Sequence, residues 1–349
     1  MQRINVVVRD IIEETSDAYS LVLENHPELK WYEAGQFVNV YLRVGQNEVQ
    51  RSYSFSSAPL VDKHPVLTIK KVPEGLVSNQ IKATINPGNT LTISKPLGRF
   101  TMDTEIPTKN ILFIAGGSGI TPIFSLLKEG LKKSVKLNFI LIYANRNHQL
   151  IFQNKINEIA NEYRDRLKVH YFLEEGQSSN YLSAKVHKGR ISREFLHGLL
   201  SGQEEHFNNP EIYICGPEGM MTNVLNWLDE LEIHQKSIHM EYFISTGKQG
   251  SKTDHSNKAL STVTVRNFRG EDRLVKMPAN SDILSQFLAN GHNLPHGCRE
   301  GMCGSCAAKL RLGEVVMHEN YALNDTKLKA GFFLLCKSSP VSEEVILEF

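Results

Sequence analysis

No stretch of this chain is long and apolar enough to cross a bilayer. The longest such runs, ILFIAGG at 111–117 and NFILIYA at 138–144, fall far short of the roughly 20 residues a spanning helix needs. The amino end, MQRINVVVRD, lacks the apolar core of an export signal. Charge of one sign is also missing: 39 lysines and arginines face 38 aspartates and glutamates, a formal net charge of +1. That balance excludes a wholesale pull toward nucleic acid or a membrane surface. The expected address is cytoplasmic, where disulfides rarely persist. Internal repeats are absent as well, which excludes a solenoid. Cysteine is scarce, with five in 349 residues, and 41% of the chain is apolar. The length suffices for two or three domains, each with its own core.

Scarce cysteines are not scattered. Cys298, Cys303 and Cys306 sit within HGCREGMCGSC, and Cys336 follows after 29 intervening residues. In a reducing compartment such a cluster reads as metal ligands or a redox pair. The C-x4-C-x2-C spacing with a distant fourth cysteine is the plant-type arrangement for a 2Fe–2S cluster. Four thiolates would hold two irons. Gly297, Gly301, Gly304 and Ser305 are small enough to let the backbone curl its N–H groups toward the sulfurs. A four-cysteine zinc site and a C-x-x-C redox pair at Cys303 and Cys306 are the rival readings. Zinc sites usually present two close pairs, and a redox pair needs neither Cys298 nor Cys336.

Three regions precede or surround that loop. Residues 1–105 alternate apolar and polar residues in short runs such as INVVVRDII, QFVNVYLRV, SYSFSS and TLTISKP, separated by turn residues. That pattern predicts an antiparallel β-barrel. Residues 106–244 switch to apolar strands (ILFIAGG, LNFILIYAN, VHYFLEE, EIYICG, IHMEYF) with helical patterns between them, as at Val224, Leu225, Leu228 and Leu231. This is the sequence form of βαβ units in a parallel sheet. The polar, aperiodic segment 245–260 reads as a linker. Residues 261–349 form a small third unit with a hairpin at NFRGED and a helix near 281–290.

Several short motifs lie on these elements. RSYSFSS at 51–57 is by itself no more than a half-exposed strand face. GLVSNQI at 75–81 has the makings of a phosphate turn at a helix start, or of a plain turn and cap. AGGSGITPIF at 115–124 is a strand, a glycine turn and a helix that Thr121 is expected to cap and Pro122 to enter. It is not the G-x-G-x-x-G fingerprint, and a tight strand-to-helix turn is the bland alternative. CGPEGM at 215–220 closes a later strand, where a lone cysteine is more often core. Two glycine turns at carboxyl ends of strands in one parallel sheet fit a shared crevice.

Together these motifs resemble the ferredoxin–NADP reductase family, in particular its reductases with a carboxy-terminal plant-type ferredoxin domain, over nearly the whole chain. The resemblance implies a multidomain fold: an FAD-binding antiparallel barrel, an α/β NAD(P)-binding domain and a β-grasp (α+β) ferredoxin domain. It implies that Arg51 pairs with the FAD pyrophosphate, Tyr53 lies against the isoalloxazine and Ser54 hydrogen-bonds near the flavin N5 atom. Gly75, Leu76, Val77 and Ser78 would take the pyrophosphate, with Lys70 and Val72 on the adjoining strand. KPLGRF at 95–100 matches the family's barrel closure except that Lys95 replaces a glycine.

Gly116, Gly117 and Thr121 would receive the nucleotide, and Cys215, Gly216 and Pro217 the nicotinamide. Glu241 would lie near the hydride path and Phe243 near the flavin ring; alternating burial in a terminal strand explains Phe243 equally well. No acid follows the strand FILIYA, and Arg146 there favours NADPH, with Arg190 placed to assist. Either arginine also reads as an ordinary surface charge. The activity implied is electron transfer from NAD(P)H through FAD and a 2Fe–2S cluster to an oxygenase, multi-subunit in the family's manner. A di-iron phenylacetyl-CoA epoxidase is the first partner suggested, with a Rieske-type ring hydroxylase or another monooxygenase next. A non-catalytic iron–sulfur sensor or zinc-stabilised binding module is the reading from another class.

Overall fold

The computed structural model describes residues 3–45, 47–73, 75–103, 110–175, 184–203, 207–242, 260–268, 270–297, 299, 301, 304–320, 322–323 and 325–349. They form two compact units, one within 3–242 and one within 260–349.

The first unit begins with six antiparallel strands: β1 (Arg3–Thr15), β2 (Ala18–Leu23), β3 (Phe37–Val44), β4 (Asn47–Ser54), β5 (Val66–Lys70) and β6 (Thr90–Ser94). Their order is β4-β3-β6-β1-β2-β5, and a bridge between Phe55 and Leu67 joins the two outer strands into a barrel. Closure removes the exposed strand edges that would invite aggregation. Alternation does the packing. Ile4, Val6 and Val8 point inward from β1 while their neighbours Arg3, Asn5 and Val7 stay exposed. Helix α1 (Leu76–Thr84) lies between β5 and β6 in the chain, and the Tyr19 hydroxyl donates to the Ser78 carbonyl at 2.7 Å, tying α1 to β2.

A parallel sheet follows: β7 (Asn110–Gly116), β8 (Asn138–Asn145), β9 (Leu167–Leu173), β10 (Ala184–Lys188), β11 (Glu211–Gly216) and β12 (Ile238–Tyr242). Its order is β10-β9-β8-β7-β11-β12. The helices between its strands are α2 (Ile120–Lys133), α3 (Gln153–Glu162), α4 (Arg193–Gly198) and α5 (Glu218–Glu230). Every residue of β7 is buried, because helices cover both faces of a central parallel strand. Ile111, Phe113 and Ala115 enter one core, while Leu112 and Ile114 enter the other. Fully burying one such large aliphatic or aromatic side chain is worth about 1.5–3 kcal/mol. Chain order reverses at β7, which makes the carboxyl ends of β7 and β11 the switch point where α/β sheets bind ligands.

Barrel and parallel sheet meet through specific polar contacts. The Ser125 hydroxyl donates to the Ser57 carbonyl, Lys155 pairs with Glu14 at 2.9 Å, and the largely buried Lys128 pairs with Asp62. Burial pulls the Lys128 ammonium below its usual pKa, and Asp62 opposes that fall.

The second unit contains β13 (Leu260–Phe268), β14 (Glu271–Pro278), α6 (Ile283–Ala289), β15 (Ala307–Leu312), β16 (Val315–Met317), α7 (Asp325–Lys329), β17 (Phe332–Leu334), β18 (Ser338–Pro340) and β19 (Glu344–Glu348). Five strands form one mixed sheet in the order β14-β13-β19-β15-β17, and β16 pairs with β18. Asp282 caps α6 by accepting from the Ser285 N–H at 2.6 Å, and Ile283, Leu284 and Phe287 enter the core. Of the linker expected at 245–260, residues 245–259 lie outside the described residues, and Leu260 already opens β13.

Candidate functional site

Ser54 ends β4 and Glu241 is the penultimate residue of β12. They are 187 positions apart, yet the Ser54 hydroxyl donates to Glu241 Oε2 at 2.8 Å. Cys215, at the end of β11, is the register partner of Glu241 on one side and of Ala115 on the other. Three residues singled out from separate motifs therefore meet at the carboxyl end of the sheet, against the barrel. Burial pushes the Glu241 carboxyl up to about 8, with the Ser54 hydrogen bond pulling the other way. Glu241 is half-buried as a residue. Cys215 is fully buried, and burial followed by the nearby Glu241 charge drives its thiol well above the ordinary range. It is a neutral wall of the site, inert as a nucleophile.

The glycine turns explain themselves by collision. A Cβ on Gly119 would strike the Cys215 carbonyl, and one on Gly216 would crowd the Gly116 backbone. The two motifs touch only because both lack side chains. Gly117 differs: its φ is +53° and space around it is open. Helix α2 begins at Ile120, with Gly119 at its N-cap. Thr121 is therefore inside the first turn rather than capping it, and its hydroxyl donates back to the Ser118 carbonyl at 3.0 Å. Pro122 occupies the first turn, where its missing N–H costs nothing. Gly216 and Pro217 lead straight into α5.

On β4, strand alternation puts Arg51 and Tyr53 on one face and turns Ser54 to the other. Burial pushes the Tyr53 phenol up to about 12, so it stays neutral. The Arg51 guanidinium donates to the Gln50 carbonyl at 2.7 Å. Gly75 is the N-cap of α1, and a Cβ there would collide with Val72. Ser78 is buried and accepts from the Val72 N–H at 3.1 Å, which leaves its own hydroxyl hydrogen to give. Val72 and Leu76, beside this helix start, are 48% and 65% exposed. Apolar surface flanking backbone N–H donors fits an amphipathic dinucleotide. Lys70 pairs with Asp17 at 3.4 Å and Lys95 with Glu28 at 2.7 Å.

Arg146 is exposed just past β8. The strand ends beside it carry an acid that sequence order hides. Glu174 follows β9, its N–H donates to the Asn145 carbonyl, and its carboxylate pairs with Arg190 at 3.0 Å. The Arg190 hydrogen bond, and then Arg146 nearby, hold that carboxyl below its usual range. A search for an acid only after the second strand misses Glu174, because it is the parallel register that brings the third strand's end alongside.

In the second unit, Cys306 and Cys336 are buried with their sulfurs 3.3 Å apart. That exceeds the roughly 2.05 Å of a disulfide and suits two thiolates sharing one metal. The loop holding Gly301 and Gly304 takes left-handed φ values of 75° and 68° there, as a tightly curled ligand loop requires. Cys298, Cys303 and Phe243 lie outside the described residues.

Comparison with known proteins agrees with this geometry. An oxidoreductase FAD-binding domain model matches residues 3–102 and an oxidoreductase NAD-binding domain model residues 113–226. A 2Fe-2S iron-sulfur cluster binding domain model matches 267–341. The chain is 32% identical to the 3-ketosteroid-9-alpha-monooxygenase ferredoxin reductase component of Mycolicibacterium smegmatis, over 97% of this chain and 94% of that protein. The chain belongs to the ferredoxin–NADP reductase family. This reductase is also 29% identical to one of the components of 1,2-phenylacetyl-CoA epoxidase from Escherichia coli, over 99% and 97% of the two chains. Its fold matches phthalate dioxygenase reductase with a TM-score of 0.61 at 22% identity, covering 99% and 98%. The reductase is an NAD(P)H-dependent oxidoreductase whose cofactors are FAD and a 2Fe–2S cluster. Among the described residues no helix is long and apolar enough to cross a membrane.

Proposed function

We propose that this reductase feeds electrons from NAD(P)H to a multi-subunit oxygenase carried on other polypeptides. The observation that carries the reading is the end-to-end alignment with reductase components of oxygenases. Those relatives serve a ketosteroid monooxygenase and a phenylacetyl-CoA epoxidase, and the second is the partner class we favour here. When bound, FAD would supply two-electron hydride acceptance and the 2Fe–2S cluster one-electron transfer.

The chain's own residues bind and orient. Arg51 pairs with the FAD pyrophosphate, helped by the Gly75, Leu76, Val77 and Ser78 turn at the start of α1. Tyr53 would lie against the isoalloxazine and Ser54 would hydrogen-bond near its N5 atom; Phe243, outside the described residues, is the residue we assign near the ring. Gly116, Gly117 and Thr121 form the nucleotide turn. Cys215, Gly216 and Pro217 wall the nicotinamide, with Glu241 beside the hydride path. Arg146 meets a 2′-phosphate when the donor is NADPH. Cys298, Cys303, Cys306 and Cys336 would ligate the two irons. Supporting these roles are the Ser54–Glu241 hydrogen bond and the sulfur pair of Cys306 and Cys336. The domain limits we propose are 1–105, 106–244 and 261–349, with the linker at 245–260.

Reconstitution tests the function. Purified chain should carry about one FAD and two irons, the cluster's complement. With NAD(P)H it should sustain turnover of a purified phenylacetyl-CoA epoxidase. Stoichiometric zinc without labile sulfide, or failure to support any oxygenase tried, would overturn the reading.

A further inference from the structure

Tyr143 lies in the middle of the sheet, on β8, and is completely buried. A buried phenol must find partners, and this one has two. It donates to the Gly117 carbonyl at 3.2 Å and accepts from the Ile151 N–H at 3.2 Å. Burial raises its pKa, so it remains a neutral donor at any working pH. Gly117 is the left-handed residue of the nucleotide turn, and its carbonyl also accepts from the Ile120 N–H. A trans peptide is planar, with its C=O and N–H pointing in opposite directions. Holding the Gly117 carbonyl inward therefore turns the Ser118 N–H of the same peptide outward.

The other end of this brace is anchored on α2, the helix that the turn leads into. Phe152, next to Ile151, has a φ of 64°, a costly left-handed conformation for a bulky side chain. It is held there by burial and by stacking on Phe124 of α2, with ring centroids 4.5 Å apart. Strain kept in place by packing points to a demand on geometry.

We infer that Tyr143 is a positioning residue that fixes the Gly117–Ser118 peptide so that the Ser118 N–H faces the pyrophosphate of the pyridine nucleotide. This rests on the reading that the 116–121 turn holds that nucleotide. The hydroxyl acts through the turn and touches no cofactor. The contact is to pyrophosphate, which NADH and NADPH share, so both donors depend on it equally.

The test uses the holoenzyme and two matched variants. Tyr143→Phe deletes only the hydroxyl and should raise KM for NADH and NADPH by the same factor, about three- to tenfold. Its kcat should change less than about twofold. Tyr171→Phe is the control: Tyr171 is an equally buried tyrosine whose hydroxyl donates to Asn157 instead. It should leave both KM values in place. Unchanged KM in Tyr143→Phe, or an equal rise in Tyr171→Phe, overturns the inference. Amide NMR of the unsubstituted protein keeps it testable if Tyr143→Phe does not fold. ADP-ribose should shift the Ser118 resonance strongly. Shifts elsewhere in 116–121 that leave Ser118 unmoved reject the role of Tyr143, whereas no shift anywhere in the turn rejects the nucleotide reading beneath it.

Discussion

Glu241 is a carboxyl that its surroundings keep neutral. Burial raises it to about 8 against an unperturbed 4.5, so below about pH 8 the folded protein holds the proton and above it a negative charge appears. At the proposed hydride entry that charge would oppose the arrival of electrons. Stopped-flow flavin reduction by NADH should therefore fall as pH rises through about 8, and Glu241→Gln should flatten the fall; a profile that keeps the same limb assigns it elsewhere. Ser54→Ala removes the partner of Glu241 and one hydrogen-bond donor, without a steric change. Flavin content should hold while hydride transfer slows, and normal transient kinetics would reject the role. At the far end of the nucleotide, Arg146→Ala should weaken NADPH by about 1.5–3 kcal/mol and barely touch NADH. Glu174→Gln should act in the opposite sense, because the carboxylate that occupies Arg190 is gone. Measured kcat/KM ratios for the two donors check both.

At the scale of elements, much was legible because it is written in local periods. Six short alternating strands, five apolar strands with helices between them and the NFRGED hairpin all follow from burial on one face or two. What escaped is what local pattern does not encode. β10 (AKVHK) is short, charged and at the sheet edge, so it carries no apolar signal. Thr121 reads as a cap because it precedes Pro122, but the turn at Gly117–Gly119 starts the helix earlier. Glu174 and Tyr143 make their contacts across neighbouring strands, and register is a tertiary fact. The glycines were legible as turns, yet their reason is mutual contact. Gly119→Ala should thus do more than stiffen a loop: its Cβ would push against the Cys215 carbonyl and part β7 from β11. Overpacking of this kind costs about 1–3 kcal/mol. Thermal unfolding should show that loss together with weakened binding of both NADH and NADPH, while a change in melting alone would make Gly119 purely structural.

For the whole molecule the decisive feature is that the two compact units have separate cores. Units with their own cores fold independently, so the electron path can be cut without unmaking the part that takes hydride. Cys336 offers that cut. Its sulfur lies beside that of Cys306, while its sequence position is 30 residues away, so its proposed role as a ligand rests on the fold of β15 and β17 rather than on the cysteine loop. Cys336→Ala should lose the cluster's iron, since one iron would lack a thiolate. Residues 3–242 should still fold with FAD, and NAD(P)H should still reduce ferricyanide, a small acceptor able to draw on flavin directly. Electron delivery to the oxygenase should fail. A chain ending before residue 245 should behave the same way. If Cys336→Ala instead fed the oxygenase at the normal rate, electrons would be leaving from flavin, and the second unit would dock the partner without conducting to it.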